Sequence, residues 1–405
     1  MTHPVPAPTP AALAFPTGPL GVTMAMQTLA TMAAFSVPSL APAIARDIGV
    51  DGALTGYFVS LVYGVGIVSS LLGAGLIHRF GAVRVTQLIL LAAVAMLLIS
   101  VSGGVVMLAA GAVALGTAYG ATAPVSAHLL IPRTPPSILN LVLSIRQVSV
   151  PLGGVLAALV LPPVALHLGW KAALLILAVP IGVMLVCLEI PRRKWDEGSG
   201  DPGKLRTGSL RQVRRLLAGN AELRRLVATS FVYSGLQLSF IAFTTVQLTS
   251  RAGFGLVAAG QALALFQVTG VIARPFWGWV ADRFIPARRL LVGHGFAMGL
   301  ASCAAAWFGP QWPVAMVFLV CALAGLTVNG FTGIAYAEFA RLGGAYRTEA
   351  TGLGSAALFS GVLILPSVGA WLVTMSGSYL LAYSAFGAAA VIAGLLLASG
   401  PRKAN

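Results

Sequence analysis

The sequence predicts an all-α membrane protein with twelve transmembrane helices in two six-helix halves related by pseudo-two-fold symmetry. Three observations support this: the composition, the alternation of apolar segments with short polar breaks, and the distribution of the cations. Hydrophobic residues make up 58% of the 405 residues and charged residues only 9%. This composition is far from that of a soluble globular protein. The 47 Gly and 24 Pro lie mostly within apolar runs, where packed transmembrane helices tolerate them.

Each predicted span is close to the roughly 20 apolar residues that cross a hydrocarbon core of about 30 Å. The spans are 20–44, 53–77, 84–102, 105–130, 138–163, 169–190, 226–249, 256–281, 288–308, 313–339, 348–374 and 379–399. They leave no room for a separate catalytic domain.

One long break divides the chain into two sets of six spans, and it contains ten of the 25 Lys and Arg residues. The segment before the first span is rich in Pro, Ala and Thr and has no Lys or Arg, which favours a tail over a cleavable signal peptide. The predicted organisation is a flexible N-terminal tail (1–19), an N-terminal bundle (20–190), a basic cytoplasmic linker (191–225), a C-terminal bundle (226–399) and a cytoplasmic tail (400–405).

The cations indicate the orientation, because cytoplasmic loops carry an excess of Lys and Arg. If both termini are cytoplasmic, 20 of the 25 cations lie on that side and only three on the other. The remaining two, Arg146 and Arg274, lie inside predicted spans. We therefore expect a multi-pass protein of the cell inner (plasma) membrane with both termini in the cytoplasm.

The two halves carry similar segments at matching positions. Residues 75–84 follow the second span and residues 278–289 follow the eighth, and each combines a Gly with basic residues. A Pro-x-x-Gly unit that starts at Pro151 in span 5 has a fainter counterpart at Pro366 in span 11. Many secondary transporters are built from such internal repeats.

These segments resemble the signature of the major facilitator superfamily, and the resemblance covers about residues 17–400. The signature is Gly and then Leu-Ala-Asp-Arg-x-Gly-Arg-Arg between spans 2 and 3, with a degenerate copy between spans 8 and 9. The first copy here has His in place of Asp, and the second has Ile285 in place of Gly. The resemblance implies the major facilitator fold and a cytoplasmic gate; positive-inside anchors around a tight turn are the alternative. The gate residues are His78, Arg79, Gly81, Gly278, Asp282 and Arg283.

Two further segments are similar to particular branches of that family. Arg274-Pro-Phe-Trp-Gly on span 8 resembles the Arg-Pro-x-x-Gly segment of monocarboxylate and oxalate–formate porters, in which the Arg pairs with a substrate carboxylate. Ser144-Ile-Arg-Gln on span 5, with the Pro-Leu-Gly-Gly that follows it, is similar to cyanate-permease-like members. The same span also resembles the Gly-Pro motif of drug antiporters, so both substrate classes stay open.

Arg146 and Arg274 each lie about eight residues from the cytoplasmic end of their spans, which is roughly 12 Å at 1.5 Å per residue. A charge at this depth is costly and indicates a functional site. All ten Asp and Glu residues fall in loops or at helix ends. The predicted membrane interior therefore contains cations but no carboxylates, which favours an anionic ligand. A guanidinium fork suits a carboxylate. Alternatively, both arginines hydrogen-bond backbone carbonyls and stabilise the bundle.

Other polar residues within the spans are candidate substrate contacts, although interhelical hydrogen bonding explains such residues equally well. Tyr233 and Gln237 share a helix face because they are four residues apart. The full set of these candidates is Gln147, Tyr233, Gln237, Asn329 and Tyr336.

The sequence predicts no enzyme, cofactor or metal site. It has no Walker loop, and its three cysteines are far apart and show no zinc-ligand spacing. The net charge of +15 is spread over short loops rather than a solvated basic face, which argues against nucleic-acid binding.

The predicted function is secondary active or facilitative transport of a small, monocarboxylate-like organic anion by alternating access. Proton symport is compatible with this prediction, although no carboxylate lies at the midplane. The expected partners are the anionic substrate and the lipid bilayer, and we expect a monomer. The alternatives are a drug or metabolite efflux antiporter and a transporter-like sensor that moves no solute.

Overall fold

The computed structural model describes residues 15–49, 56–196 and 208–399. The predicted tail at 400–405, most of the predicted tail at 1–19 and the middle of the predicted linker lie outside these ranges. Within them, every regular element is a helix.

The described residues of the N-terminal half form ten α-helices. They are α1 (Thr17–Ser39), α2 (Ala41–Ile48), α3 (Gly56–Phe80), α4 (Ala82–Ser100), α5 (Val105–Tyr119), α6 (Thr122–Leu130), α7 (Leu139–Gln147), α8 (Ser149–Leu175), α9 (Ala178–Cys187) and α10 (Glu189–Trp195). The linker contributes α11 (Gly208–Gly219). The C-terminal half contains α12 (Ala221–Ser250), α13 (Leu256–Arg283), α14 (Ala287–Ala306), α15 (Val314–Val328), α16 (Phe331–Gly343), α17 (Arg347–Ser376) and α18 (Tyr379–Ala398).

Ten helical stretches in the described residues are long and apolar enough to cross a membrane. Two of them, Pro136–Cys187 and Val314–Ser376, have 52 and 63 residues and can cross twice. Gly169 (φ +80°) and Gly344 (φ +53°) reverse the chain within these stretches, in a backbone region that favours glycine. Eight single and two double crossings give twelve, so the fold-class prediction is confirmed.

Each half is built around its own hydrophobic core. Met26, Ile89 and Leu174 belong to the core of the N-terminal half, whereas Leu236 and Phe331 belong to that of the C-terminal half.

The halves meet most closely at the end that carries the turns after α3, α6, α13 and α16, which we call the basic end. There α13 crosses α7 with Gly278 against Ser144: a Cβ on Gly278 would lie 2.7 Å from the Cβ of Ser144. A Cβ on Gly352 of α17 would lie 2.4 Å from the carbonyl oxygen of Ser70 on α3. Small residues that allow such close approach are typical of membrane helix interfaces.

The described part of the predicted linker forms a helix that contacts both halves. The amphipathic helix α11 packs against α3 of one half and α17 of the other, with Val213 buried. Asn220 caps the next helix, because its side-chain oxygen accepts from the backbone N–H of Leu223 at 3.1 Å. This cap starts α12 at Ala221, five residues before the predicted start at residue 226.

Candidate substrate cavity and gate

A cavity of about 460 Å³ lies between the two halves. Its floor contains Arg146, Arg274 and Tyr336, and from there it extends toward Ser39 at the end of α1. It therefore lies on the far side of the floor from the basic end, where the halves are in contact.

Three of the crossing helices are interrupted next to this floor. α5 gives way to α6 around Gly120, α7 to α8 at Val148, and α15 to α16 around Asn329. Pro151 adds to the second break: it has no N–H, so the carbonyl of Gln147, four residues earlier, lacks its usual helical donor. Broken helices are tolerated in a membrane where other groups pair with the freed carbonyls.

Arg274 on α13 uses two of these carbonyls. Its Nε donates to the carbonyl of Asn329 at 3.2 Å, and its Nη1 donates to the carbonyl of Gln147 at 2.8 Å. The side chain is only 6% exposed. Among the described residues, no protein group accepts from its Nη2, so both N–H groups of that nitrogen are available to a ligand.

Arg146 on α7 is held differently, mainly by side-chain amides. Its Nη1 donates to Oε1 of Gln147, and its Nη2 donates to Oε1 of Gln27 at 2.5 Å and to the carbonyl of Thr122 at 3.2 Å. The residue is 3% exposed, and its Nε is buried without a partner in the described part of the chain. Gln147 therefore connects the two arginines, through its side chain to Arg146 and through its backbone to Arg274.

Neither guanidinium is paired with an acid within the ranges that the structure describes, where all the ion pairs found involve other cations. No Asp or Glu lines the cavity among these residues. A buried charge without a counter-ion is costly. The cavity floor is thus a cationic surface suited to an anion.

Three other predicted contacts also lie at the cavity. Gln237 on α12 donates through Nε2 to Oδ1 of Asn329 at 2.5 Å. Tyr336 on α16 shares a 3.0 Å hydrogen bond with Ser355 of α17. The structure brings Gln147, Gln237, Asn329 and Tyr336 together with both arginines.

Tyr233 is not brought to the cavity. Its side chain is fully buried and its hydroxyl donates to the carbonyl of Leu291 on α14 at 2.9 Å. The cavity face of α12 instead carries Ser234 and Gln237. Residues four apart do lie on one side of a helix, as predicted for Tyr233 and Gln237. However, the residues of α12 that line the cavity begin at Ser234.

Several cavity residues were missed by the sequence analysis. An aromatic cluster crosses the interface between the halves: the ring centroid of Tyr63 lies 5.8 Å from that of Tyr119 and 5.0 Å from that of Phe359. The amides Gln27 and Gln267 also line the cavity. The signal for Gln27 is a long polar side chain in an otherwise apolar span, whereas the aromatic residues give no such signal.

At the basic end, the second motif copy joins the halves through Asp282. Its Oδ2 accepts from the backbone N–H of Leu141 at 2.8 Å, and its Oδ1 accepts from the backbone and side-chain nitrogens of Asn140 at 3.1 and 2.8 Å. These donors lie in the first turn of α7. A carboxylate of one half therefore caps a helix of the other, where the helix dipole favours negative charge.

The first copy makes a related contact between the halves, but here the motif residue is basic and the acid belongs to the other half. His78 at the end of α3 lies 3.4 Å from Oε1 of Glu349 in the first turn of α17. Arg79 lies over the ring of Phe80, and Arg283 is exposed at the end of α13. Gly81, with φ +88°, precedes α4. The motif residues thus surround the basic end, with Gly278 at the tight crossing described above.

Residues 23–343, well over half of the chain, match the family model of the Major Facilitator Superfamily. The chain belongs to the Major Facilitator Superfamily. The family consists of transporter-type membrane proteins rather than enzymes, so the predicted superfamily and the multi-pass membrane setting are confirmed, and both are consistent with solute transport. The family's substrates are small molecules.

Relatives within the superfamily are distant. The membrane sensor protein UhpC of Escherichia coli K12 is 25% identical over 177 residues, which cover 39% of this chain and 40% of UhpC. The probable nitrate/nitrite transporter NarK2 of Mycobacterium tuberculosis CDC 1551 is 31% identical over 105 residues, which cover 25% of this chain and 27% of NarK2. Each match spans less than half of the relative's length.

Solved structures agree in fold over nearly the whole chain. The human organic anion transporter MFSD10 superposes with a TM-score of 0.71 at 16% identity, covering 95% of this chain and all of that one. The fucose:proton symporter FucP of E. coli superposes with a TM-score of 0.72 at 14% identity, covering 94% and 98%. At these identities the likeness concerns the fold alone.

Proposed function

We propose that this protein is a secondary transporter of a small, monocarboxylate-like organic anion, moved by alternating access across the cell inner membrane. The observation that carries the proposal is the pair of buried arginines, Arg146 and Arg274, at the floor of a cavity that no described carboxylate lines. Because a buried cation strongly favours a counter-ion, an anion is the ligand class that this floor stabilises most.

Among the relatives in sequence, NarK2 supports an anion but does not select one, since it is a probable nitrate/nitrite transporter by name. The apolar walls favour an organic over an inorganic anion: they include Val155, Leu238, Ile241 and Val271. A hydrocarbon body buried there gains about 25 cal/mol per Å² of apolar surface.

The proposed orientation places both termini and the basic end in the cytoplasm, as the excess of cations there favours. The cavity then faces the outside, and the contacts of Asp282 and His78 close the cytoplasmic side. Coupling to protons is not required by the cavity, which has no acid among its described lining residues. We propose a monomer.

A sensor that moves no solute is the second candidate, and the similarity to UhpC favours it. Ligand binding alone would not separate it from a transporter. Drug efflux is less well supported, because the cavity has two cations and no methionine among the lining residues described.

A thermal-shift screen of the purified protein tests the ligand class, since a ligand that binds only the folded state raises its stability. We expect small monocarboxylates to raise the melting temperature and cationic drugs to leave it unchanged. Uptake of the best ligand into proteoliposomes then separates transporter from sensor. Stabilisation by cationic drugs alone would exclude an anion transporter, and binding without uptake would favour the sensor.

A further inference from the structure

The two arginines at the cavity floor differ in what they offer a ligand. Arg274 is held by two backbone carbonyls and keeps both N–H groups of Nη2 for a ligand, as described above. In Arg146 the Nη1 and Nη2 atoms, the two ends of the fork that binds a carboxylate in bidentate fashion, already donate to Gln147 and Gln27. The two amide oxygens occupy the positions that the two oxygens of a carboxylate would take.

Gln27 is fixed in this arrangement by its other end. Its Nε2 donates to Oγ1 of Thr31 at 2.9 Å and to the hydroxyl of Tyr119 at 3.4 Å. The hydroxyls accept from the amide nitrogen, so the amide oxygen is directed at Arg146. A ligand that displaced this oxygen would leave a buried acceptor unpaired, which disfavours the exchange.

The Nε end of Arg146 offers no alternative to a ligand. Its Nε atom is buried, and the small cavity that Arg146 lines together with Ser126, Leu143 and Tyr336, among others, has a volume of only about 10 Å³. That volume holds a water molecule at most. Arg146 therefore contributes its charge to the cavity, but its hydrogen-bonding fork is closed.

We propose that Gln27 and Gln147 restrict the cavity to ligands with one carboxylate. The inference rests on the proposed function and specifies its substrate class: a monoanion whose carboxylate contacts Arg274 and whose body lies against the apolar walls. A second carboxylate on the same ligand finds the fork of Arg146 occupied, and only neutral amides and hydroxyls of the lining, such as Gln267 and Tyr63, are left to pair with it. Gln27 and Gln147 are specificity residues in this account, and Arg146 attracts the monoanion through its charge.

Valerate and glutarate test this directly, because both have five carbons and differ in the second carboxylate. Their dissociation constants are measured by titration calorimetry on the full-length protein in detergent at equal ionic strength. We expect the parent protein to bind valerate at least about tenfold more tightly than glutarate. Equal or tighter binding of glutarate by the parent would overturn the proposal without any variant.

Gln147→Leu removes one amide oxygen and keeps the backbone carbonyl that holds Arg274. Gln27→Leu removes the other oxygen from a different helix, so the test survives if one variant fails to fold. In either variant we expect the preference for valerate over glutarate to fall by about tenfold. An unchanged preference in the folded variants would refute the role of the glutamines.

Two further variants complete the test: one adds a carboxylate next to Arg146, and the other is a control. Gln27→Glu places a permanent carboxylate on Arg146, so we expect glutarate to remain excluded and valerate to weaken; improved glutarate binding would contradict the proposal. Gln261→Leu removes an exposed amide of α13 that is not among the described residues lining the cavity, and we expect the parent's preference to persist. If the parent binds no carboxylate at all, the proposed function fails, whereas valerate binding with unaltered preferences fails this inference alone.

Discussion

Asp282 accepts a 2.8 Å hydrogen bond from the backbone N–H of Leu141, so a carboxylate at the end of α13 caps α7 across the interface between the halves. The bond has to break when the basic end opens, because the two residues belong to different halves. The same helix α7 ends in Arg146 and Gln147 at the cavity floor. The short helix α7 therefore contacts the gate residue Asp282 at its first turn and contributes to the cavity floor at its last turn.

Asp282→Asn is expected to open the basic end more than His78→Asn. The aspartate loses its charge and one strong acceptor at the helix terminus, which typically contributes about 0.5–2 kcal/mol. His78 lies 3.4 Å from Oε1 of Glu349, a longer contact made from an exposed position. A cysteine introduced at the buried Ala127, in a background without the three native cysteines, reports opening through its labelling rate. Equal acceleration by both variants would contradict this asymmetry.

Gly278→Ala is expected to disturb the closed end. The added Cβ would lie 2.7 Å from the Cβ of Ser144, and overpacking of this kind typically costs about 1–3 kcal/mol. Gly260→Ala on the same helix is the control, because nothing lies within 4 Å of its Cβ position. The melting temperature should fall for the first variant only, with faster labelling at the basic end. A similar melting temperature for both variants would argue against close packing at this crossing.

Arg274→Lys and Arg274→Ala test the principal ligand contact. Lysine keeps the charge but loses the fork, so binding should weaken, and alanine should abolish it. Loss of a buried charged hydrogen bond costs on the order of 2–5 kcal/mol, which is tens to thousands-fold in affinity. Arg289→Ala, which removes an exposed cation at the start of α14, is the control.

The affinity per folded molecule of the detergent-purified variant distinguishes a ligand contact from a purely structural role of Arg274. An arginine with a purely structural role would lower the melting temperature or the yield of Arg274→Ala. The protein that did fold would then bind the anion as tightly as the parent, and that result would end the assignment of Arg274.

Reporter fusions test the orientation. Fusions at residues 200 and 405 should both report the cytoplasm, and an insertion near residue 310, between α14 and α15, should report the opposite side. The reason is the excess of cations in the segments around the first two positions. A periplasmic signal from both fusions would reverse the proposed topology and the direction in which the cavity faces.

Much of the candidate site could be predicted from the sequence, because membrane burial makes polar residues conspicuous. Arg146 and Arg274 stood out by their depth and by the resemblance of their segments to known porters, and Gln147, Gln237, Asn329 and Tyr336 followed as polar residues in apolar spans; all six line the cavity. Tyr233 does not, since its helix presents polar groups both to α14 and to the cavity. The aromatic wall could not be predicted: Tyr63, Tyr119 and Phe359 are far apart in the chain, and apolar rings give no contrast with lipid-facing residues.

The sequence by itself determined the membrane setting, the crossings and the duplicated halves, because the length and polarity of each segment decide whether it crosses a bilayer. It also determined that the membrane interior holds two cations and no midplane acid. Only the tertiary structure decided which groups meet. Pro151 frees the carbonyl of Gln147, but Arg274 of the other half is the group that bonds it, and Gln27 reaches Arg146 from 119 residues away. Such pairings depend on how the two halves approach each other, which the local sequence pattern does not encode.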